Sequence, residues 1–218
     1  MKKSDVIILA ASPSSYNIYT PLMKVKRKTL IHNLVKKISN NPNVNKIIVV
    51  GGHNFEELKR ALSDVDVHFV YNKNYSNGIC SSIKAGVASV ESDSLMVMHG
   101  DLWFKNLQIS KILKNQKSLI VATECRHMKA KEIGIRDYNG QLLYFGWRQK
   151  LKWGKIFYIH QDFRQIFENV LYNNSTGNWF SFEILGYMLK AGCSFEILNH
   201  KNSLFDIDCY QDLRKIIL

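Results

Sequence analysis

No stretch of the chain carries the run of roughly 20 apolar residues that a membrane span requires, so no membrane partner is expected. The opening Met1-Lys2-Lys3-Ser4-Asp5 leads straight into a strand pattern. It lacks the longer apolar region and small-residue cleavage site of a secretory leader, and a cytoplasmic protein is expected. The four cysteines (Cys80, Cys125, Cys193, Cys209) form no C-x-x-C pair, and the seven histidines are scattered. They are expected as reduced, buried or half-buried thiols, and no zinc site is expected. Acidic residues are few, 18 against 30 basic, for a net charge of +12. Such a surplus points first to nucleic acid. The basic residues are spread along the chain, however, with local densities at 24–28 and 147–152. No arginine-rich tail, zinc finger or RNA-recognition signature accompanies them, so a nucleic-acid partner is not favoured. A small polyanion such as a nucleotide fits the charge equally well.

Glycine and arginine are missing where they would be most informative. Residues 9–22 read LAASPSSYNIYTPL and follow the apolar run Val6-Ile7-Ile8. A first strand entering a small-residue loop suggests phosphate binding, yet such loops normally carry glycine, which lets the backbone approach a phosphate.

What is present is a globular composition, 46% apolar and 22% charged over 218 residues, enough for one sizeable core. Strands and helices alternate through the first half. Strands are expected at 5–11, 46–51, 67–71, 94–99 and 118–123. Helices are expected at 29–39, from an Asn54 cap onward, at 80–90 and near 107–114. This pattern predicts a doubly wound sheet in a Rossmann-like three-layer α/β/α sandwich, mixed but mostly parallel. After about residue 130 the rhythm changes. Asn139-Gly140 between two β-prone runs signals a hairpin. A strand near 156–160, helices near 162–171 and 178–191, a strand at 194–198 and a terminal helix from about Tyr210 follow. The whole chain reads as a single domain, its second half adding an insertion and closing elements to the same sheet.

Ligands of open α/β sheets bind beyond the carboxyl ends of the strands. Asp101 follows Leu95-Met96-Val97-Met98 at such an end. Asp206 and Asp208 share one side of an extended segment, because side chains there alternate. Carboxylates so placed suit a magnesium ion shared with phosphate oxygens, although each also suits a turn or a helix cap. The stretch from Gly78 to Gly86 reads as a glycine turn, two hydroxyls at a helix start and a lysine, a place that favours anions or ligand carbonyls. It equally suits plain serine capping.

Several pieces stand in a particular order: the strand ending L-A-A, a helix opened by Lys28-Thr29-Leu30-Ile31, then IIVVGGHNFEELKRAL, NYSNGICSSIKAG, MHGDLWF and FDIDCYQDLRK. In this order they resemble the nucleotidyltransferases of the sugar-nucleotide, GT-A-like class. Ser14-Ser15 and NGICSSIKAG are similar to the molybdenum-cofactor cytidylyltransferase branch. HGDLWF and FDIDCYQDLRK are similar to the choline-phosphate cytidylyltransferase branch. The resemblance runs over about residues 5–104 and returns at about 195–216. It implies a nucleoside triphosphate, CTP favoured, bound with Mg²⁺, and a phosphorylated small-molecule acceptor. The acceptor attacks the α-phosphorus in line and pyrophosphate leaves. Asp101 and Asp208 would hold the Mg²⁺, with Asp206 as a third ligand. Leu9, Ala10 and Ala11 would line the base through their backbone, and Ser81 would sit against the nucleoside. The family's loop glycine falls on Ser12, its arginine on Tyr16 and its lysine on Thr20 or Pro21. Ser12, Ser14 and the backbone of Ser15 would then face the phosphates without charge, and Lys24 and Lys26, just downstream, would be the substitute cations. The resemblance implies that residues 130–195 are the divergent, acceptor-side part of the domain, and Trp147, Trp153, Tyr158 and Trp179, with Arg148, Lys150, Lys152 and Lys155, fall there. They suit an ammonium head group or an acceptor phosphate, and equally core and rim packing. Two further readings stay open: a relative that binds nucleotide without turnover, and a basic nucleic-acid-binding protein.

Overall fold

The computed structural model describes residues 2–14, 16–124, 128, 132–173, 178–201 and 204–217; Ser15 and Cys125, named above, lie outside them. β1 (Ser4–Ala10) is buried at every position, as a central strand covered on both faces must be. The two-residue strands β2 (Lys24–Val25) and β3 (Lys28–Thr29) pair as a small hairpin. In α1 (Leu30–Ser39) the apolar positions 30, 31, 34, 35 and 38 fall on one buried stripe, and the Thr29 side chain accepts a hydrogen bond from His32 N at its start. β4 (Val44–Gly51), α2 (Phe55–Ala61), β5 (His68–Tyr71), α3 (Ile79–Val87) and β6 (Leu95–His99) continue the alternation. β7 (Leu102–Phe104), α4 (Ile109–Leu113) and β8 (Leu119–Glu124) follow. The second half supplies β9 (Gly134–Tyr138), β10 (Gln141–Gly146), β11 (Leu151–Ile159), α5 (Gln161–Tyr172), α6 (Ser181–Lys190), β12 (Glu196–Asn199) and β13 (Leu204–Asp206). A 3-10 turn over Tyr210–Leu213 then leads into α7 (Arg214–Ile217).

The main sheet has nine strands in the order β5-β4-β1-β6-β11-β8-β12-β10-β9. β5, β4, β1 and β6 are parallel, as are β8 and β12, whereas β11 runs antiparallel to both of its neighbours. The strands β9 to β12, all after residue 130, therefore belong to the same sheet. One apolar layer joins alternate residues of β1 and β6 to α1, α2 and α4, and a second joins the other face to α3, α5 and α6. This is the three-layer α/β/α sandwich that the alternation predicts.

The β9–β10 hairpin turns on Asn139 (φ 48°) and Gly140 (φ 75°). Positive φ at both central residues is what a two-residue hairpin loop requires. Asn54 differs from expectation: it stands at the head of α2, but its backbone is left-handed (φ 52°) and its side chain caps nothing.

The most consequential difference is β11, which starts five residues before the expected strand. Between Trp153 and Phe157 it spends four residues where β8 spends two. This bulge breaks the period-two pattern that announces a strand. At its centre Lys155 takes φ 56°. The preceding Gly154 lies so close to its neighbours that a Cβ there would meet Leu204 Cδ2 at 2.5 Å and the Val121 carbonyl oxygen at 3.0 Å. Gly154→Ala is therefore expected to cost about 1–3 kcal/mol through overpacking. The check is a lower urea midpoint at unchanged m-value.

A second, smaller sheet pairs β7 with β13, Leu102 opposite Asp206 and Phe104 opposite Leu204. Strands of three residues carry too little pattern to be expected from sequence. A third apolar cluster beneath it (Met23, Val25, Leu30, Ile207 and Ile216, with Trp103 packed against it) ties the β2–β3 hairpin to the C-terminal segment.

Candidate active site

The β7–β13 pair builds the site. Its register sets Asp206 beside Asp101, and Ile207 N donates to the Asp101 carbonyl oxygen at 3.0 Å. Ile207 is fully buried in the third apolar cluster, so Asp206 and Asp208 on either side turn the other way. Asp101, Asp206 and Asp208 can each offer an oxygen such that all three lie within 4.8 Å of one another. The family resemblance gathers these three at one metal site, and the structure brings them within reach of one another.

A lysine stands among them. Lys155 Nζ is 2.6 Å from Asp206 Oδ2 and 3.5 Å from Asp101 Oδ2. Burial alone would lower the lysine's pKa, but the carboxylates of Asp101 and Asp206 outweigh it and hold the group charged. Asp206 feels burial upward, yet Lys155 and then Lys152 keep it below the usual carboxylate range. Asp101 is pushed up to about 7 by burial, against the pull of Lys155 and with added repulsion from Asp206 and Asp208. The second oxygens, Asp101 Oδ1 and Asp206 Oδ1, are buried without a hydrogen-bond partner. Orphaned buried carboxylate oxygens cost free energy that a cation would recover, and an all-oxygen donor set suits a hard divalent ion. The residues fit Mg²⁺.

His99, the last residue of β6, faces elements of the second half of the chain. Its Nε2 lies 3.3 Å from Ser181 Oγ at the start of α6, and its ring meets Trp153 edge-on at 6.0 Å. Burial, then the charge of Lys155, pushes its pKa down to about 3, so it is neutral at physiological pH. Phe145 and Phe182 pack around the same indole at 5.7 and 6.1 Å. Trp153 and Tyr158 are buried, Trp179 stacks on Tyr187 at 4.0 Å, and Trp147 is exposed. Lys152 pairs with Glu132 at 2.6 Å. Trp153 and Tyr158 are thus core residues, and Trp153 lines the small cavity that also holds Lys155 and Asp206.

The opening loop is held by its own contacts. Ser14 N donates to Ile18 O, Asn17 N donates to Ser14 O, and Ser14 Oγ accepts from Tyr16 N. Ser12 Oγ donates to the Tyr75 carbonyl oxygen at 3.2 Å. The Tyr19 hydroxyl donates to the Ala10 carbonyl; burial, then the charge of Glu57, raises its pKa and keeps it a donor. The carbonyls of Leu9 and Ala11 accept from Gly100 N and His53 N, each at 2.8 Å. All three backbone carbonyls expected to line a base thus already serve the fold. Thr20 and Pro21, where the family's lysine falls, are buried, and Tyr16 is 62% exposed. Lys24 lies on the exposed side of β2, and Lys26 (φ 62°) forms the β2–β3 turn.

Ser81 sits in the first turn of α3, as the motif places it. Its hydroxyl lies within reach of the carbonyls of Gly78 at 2.8 Å and Asn74 at 2.9 Å, its one proton serving either, and it accepts from Asn72 Nδ2, which also reaches Ser82. Beside it the buried Cys80 Sγ donates to the Trp179 carbonyl at 3.0 Å; its pKa is pushed up to about 11, chiefly by burial. An open groove of about 600 Å³, lined by Gly52, Phe55, Glu56, Glu57 and Tyr71, lies at the end of β4. His99, Ser181 and Tyr19 were not singled out by the sequence as parts of the site, and Lys155 was named only among the basic residues suited to an acceptor phosphate, not beside the aspartates. For Lys155 a signal existed: one charged residue inside the otherwise apolar WGKIFYI.

Among the described residues, no helix is long and apolar enough to cross a membrane. Over 104 residues the chain is 27% identical to the molybdenum cofactor cytidylyltransferase of Escherichia coli (strain K12), a stretch covering 47% of this chain and 53% of that protein. The match thus spans about half the length of this curated relative. The structure resembles CTP:phosphocholine cytidylyltransferase (LicC) from Streptococcus pneumoniae, with a TM-score of 0.81, 16% identity and coverage of 98% and 97% of the two chains. It also resembles the inositol-1-phosphate CTP transferase from T. maritima, with a TM-score of 0.79, 15% identity and coverage of 99% and 97%. At these identities the likeness establishes a shared nucleotidyltransferase fold. Residues 6–149 match the MobA-like NTP transferase domain, and with two thirds of its length inside that match the chain belongs to this nucleotidyltransferase family.

Proposed function

We propose that the protein transfers CMP from CTP to a phosphorylated small molecule, a sugar phosphate or an amino-alcohol phosphate, and releases pyrophosphate. The observation that carries this reading is the acidic cluster with two buried, partnerless carboxylate oxygens. Asp101, Asp206 and Asp208 would hold Mg²⁺, which neutralises the charge of the triphosphate and of the leaving pyrophosphate. An oxygen of the acceptor phosphate forms the new bond to the α-phosphorus, and the α–β bridging bond breaks. The acceptor needs little help from a base, since a phosphomonoester with a second pKa of about 6 is already largely dianionic at neutral pH. Alignment and charge compensation remain the protein's task.

In this reading the nucleoside sits between the end of β1 and the start of α3. Tyr19 and His53 hold the carbonyls of Ala10 and Ala11 in place, and Ser81 fixes the turn that opens α3. The acceptor lies on the side built by residues 130–195, against Lys155, Ser181 and neutral His99. The test is a panel of nucleoside triphosphates crossed with phosphorylated acceptors, scored by pyrophosphate release. CTP with one acceptor class is expected to stand out. The buried Thr20 and Pro21 and the exposed Tyr16 favour a second reading, nucleotide binding without turnover. Calorimetric CTP binding without pyrophosphate release from any acceptor would select it.

A further inference from the structure

Lys155 stands where three carboxylates converge, and its backbone is shaped to put it there. It lies in the β11 bulge with positive φ, behind a glycine that has no room for a side chain. A lysine merely covering the site would not require such a backbone. Its ammonium meets one oxygen of Asp206 and lies 3.5 Å from one oxygen of Asp101, while the other oxygen of each stays buried and partnerless. A monovalent ammonium therefore answers only part of the cluster's demand.

We propose that Lys155 holds the cation position of the Asp101–Asp206–Asp208 cluster in the metal-free protein, and that a divalent ion loads readily only when a phosphate ligand gives the lysine another anion to bind. The inference rests on the metal role given to this cluster under Proposed function. A bare divalent ion entering the cluster must displace the ammonium from Asp206 and leave it half-buried beside two new positive charges. That arrangement is unfavourable in a medium less polar than water. An ion shared with a triphosphate brings anionic oxygens into the same space. The lysine's flexible stem and three donors let it move from carboxylate to phosphate without losing its ion pair. Metal and nucleotide would then enter together, and Lys155 would be the residue that couples them.

The test follows free Mn²⁺ by electron paramagnetic resonance. Mn²⁺ is titrated into the wild type and into Lys155→Met, each with and without a CTP analogue carrying a non-cleavable α–β methylene bridge. The wild type alone is expected to bind Mn²⁺ weakly and to tighten at least tenfold with the analogue. Lys155→Met alone should bind Mn²⁺ at least tenfold tighter than the wild type, with a smaller gain from the analogue. Equal or weaker Mn²⁺ binding by a folded Lys155→Met overturns the proposal and leaves the metal site standing. No Mn²⁺ binding by either protein, with or without the analogue, overturns the metal reading itself. A second measurement needs no variant: the ¹⁵N resonance of the Lys155 ammonium in lysine-labelled wild type. It should stay in place when millimolar Mg²⁺ is added alone and shift when Mg²⁺ and the analogue are added together. A shift with Mg²⁺ alone, or none with both bound, overturns the coupling.

Discussion

Asp101→Asn and Asp208→Asn are expected to lower turnover roughly a thousandfold, since a lost metal ligand removes several kcal/mol of charge stabilisation. The metal-free variants should nevertheless melt no earlier than the wild type. For Asp101 the sign follows from its raised pKa of about 7. A carboxylate whose folded pKa lies above its unfolded value costs nothing below pH ~4, and its cost grows until the pH passes the folded value. Asparagine stays neutral throughout. The melting advantage of Asp101→Asn should therefore be absent at pH 4 and full at pH 8, and the increment that Mg²⁺ and nucleotide give the wild type should vanish. Scanning calorimetry at both pH values, beside pyrophosphate release, checks this. Early unfolding of both variants at pH 8 would mean that the two aspartates are structural.

Tyr16→Arg is expected to tighten CTP binding about five- to hundredfold, the worth of one charged hydrogen bond to a phosphate. Tyr16 is mostly exposed, beside the left-handed Asn17, in a loop where the Ser12 and Ser14 hydroxyls are turned to the protein's own backbone. A guanidinium there meets no buried neighbour, so the fold should not change. Lys24→Ala and Lys26→Ala, made separately, show whether either lysine already supplies the charge. Calorimetric titration reads all three variants. Unchanged affinity in every one would remove the loop from the phosphate site.

The parallel half of the sheet was legible because its strands are buried on both faces and its helices carry a stripe. Val6–Ile8 and Ile47–Val50 are continuous apolar runs, and positions 30, 31, 34, 35 and 38 repeat at helical spacing. Asp101 and the Asp206–Asp208 pair were legible as a strand-end residue and as residues of an alternating segment. That they meet depends on β7 and β13, three residues each, too short to show a period. Lys155 was hidden by the bulge that gives it its position: the extra residues of β11 erase the alternation and leave the lysine looking like one more member of a basic stretch. The opening loop was recognised as unusual from what it lacks. Its tie-down by Tyr19 was not visible, since the partner is a backbone carbonyl, which no side-chain pattern reports.

The pairing of β7 with β13 has a kinetic side. Its register joins Leu102 to Asp206, closing a loop of about a hundred residues, and the entropy of such a closure is recovered only once the strands within it have docked. The main sheet contains neither of these strands and so can order without this contact, whereas the three aspartates are held together by it. During refolding, helix and sheet signals should therefore return ahead of any capacity to hold a nucleotide, so that for an interval the chain is folded by spectroscopy and still blind to its ligand.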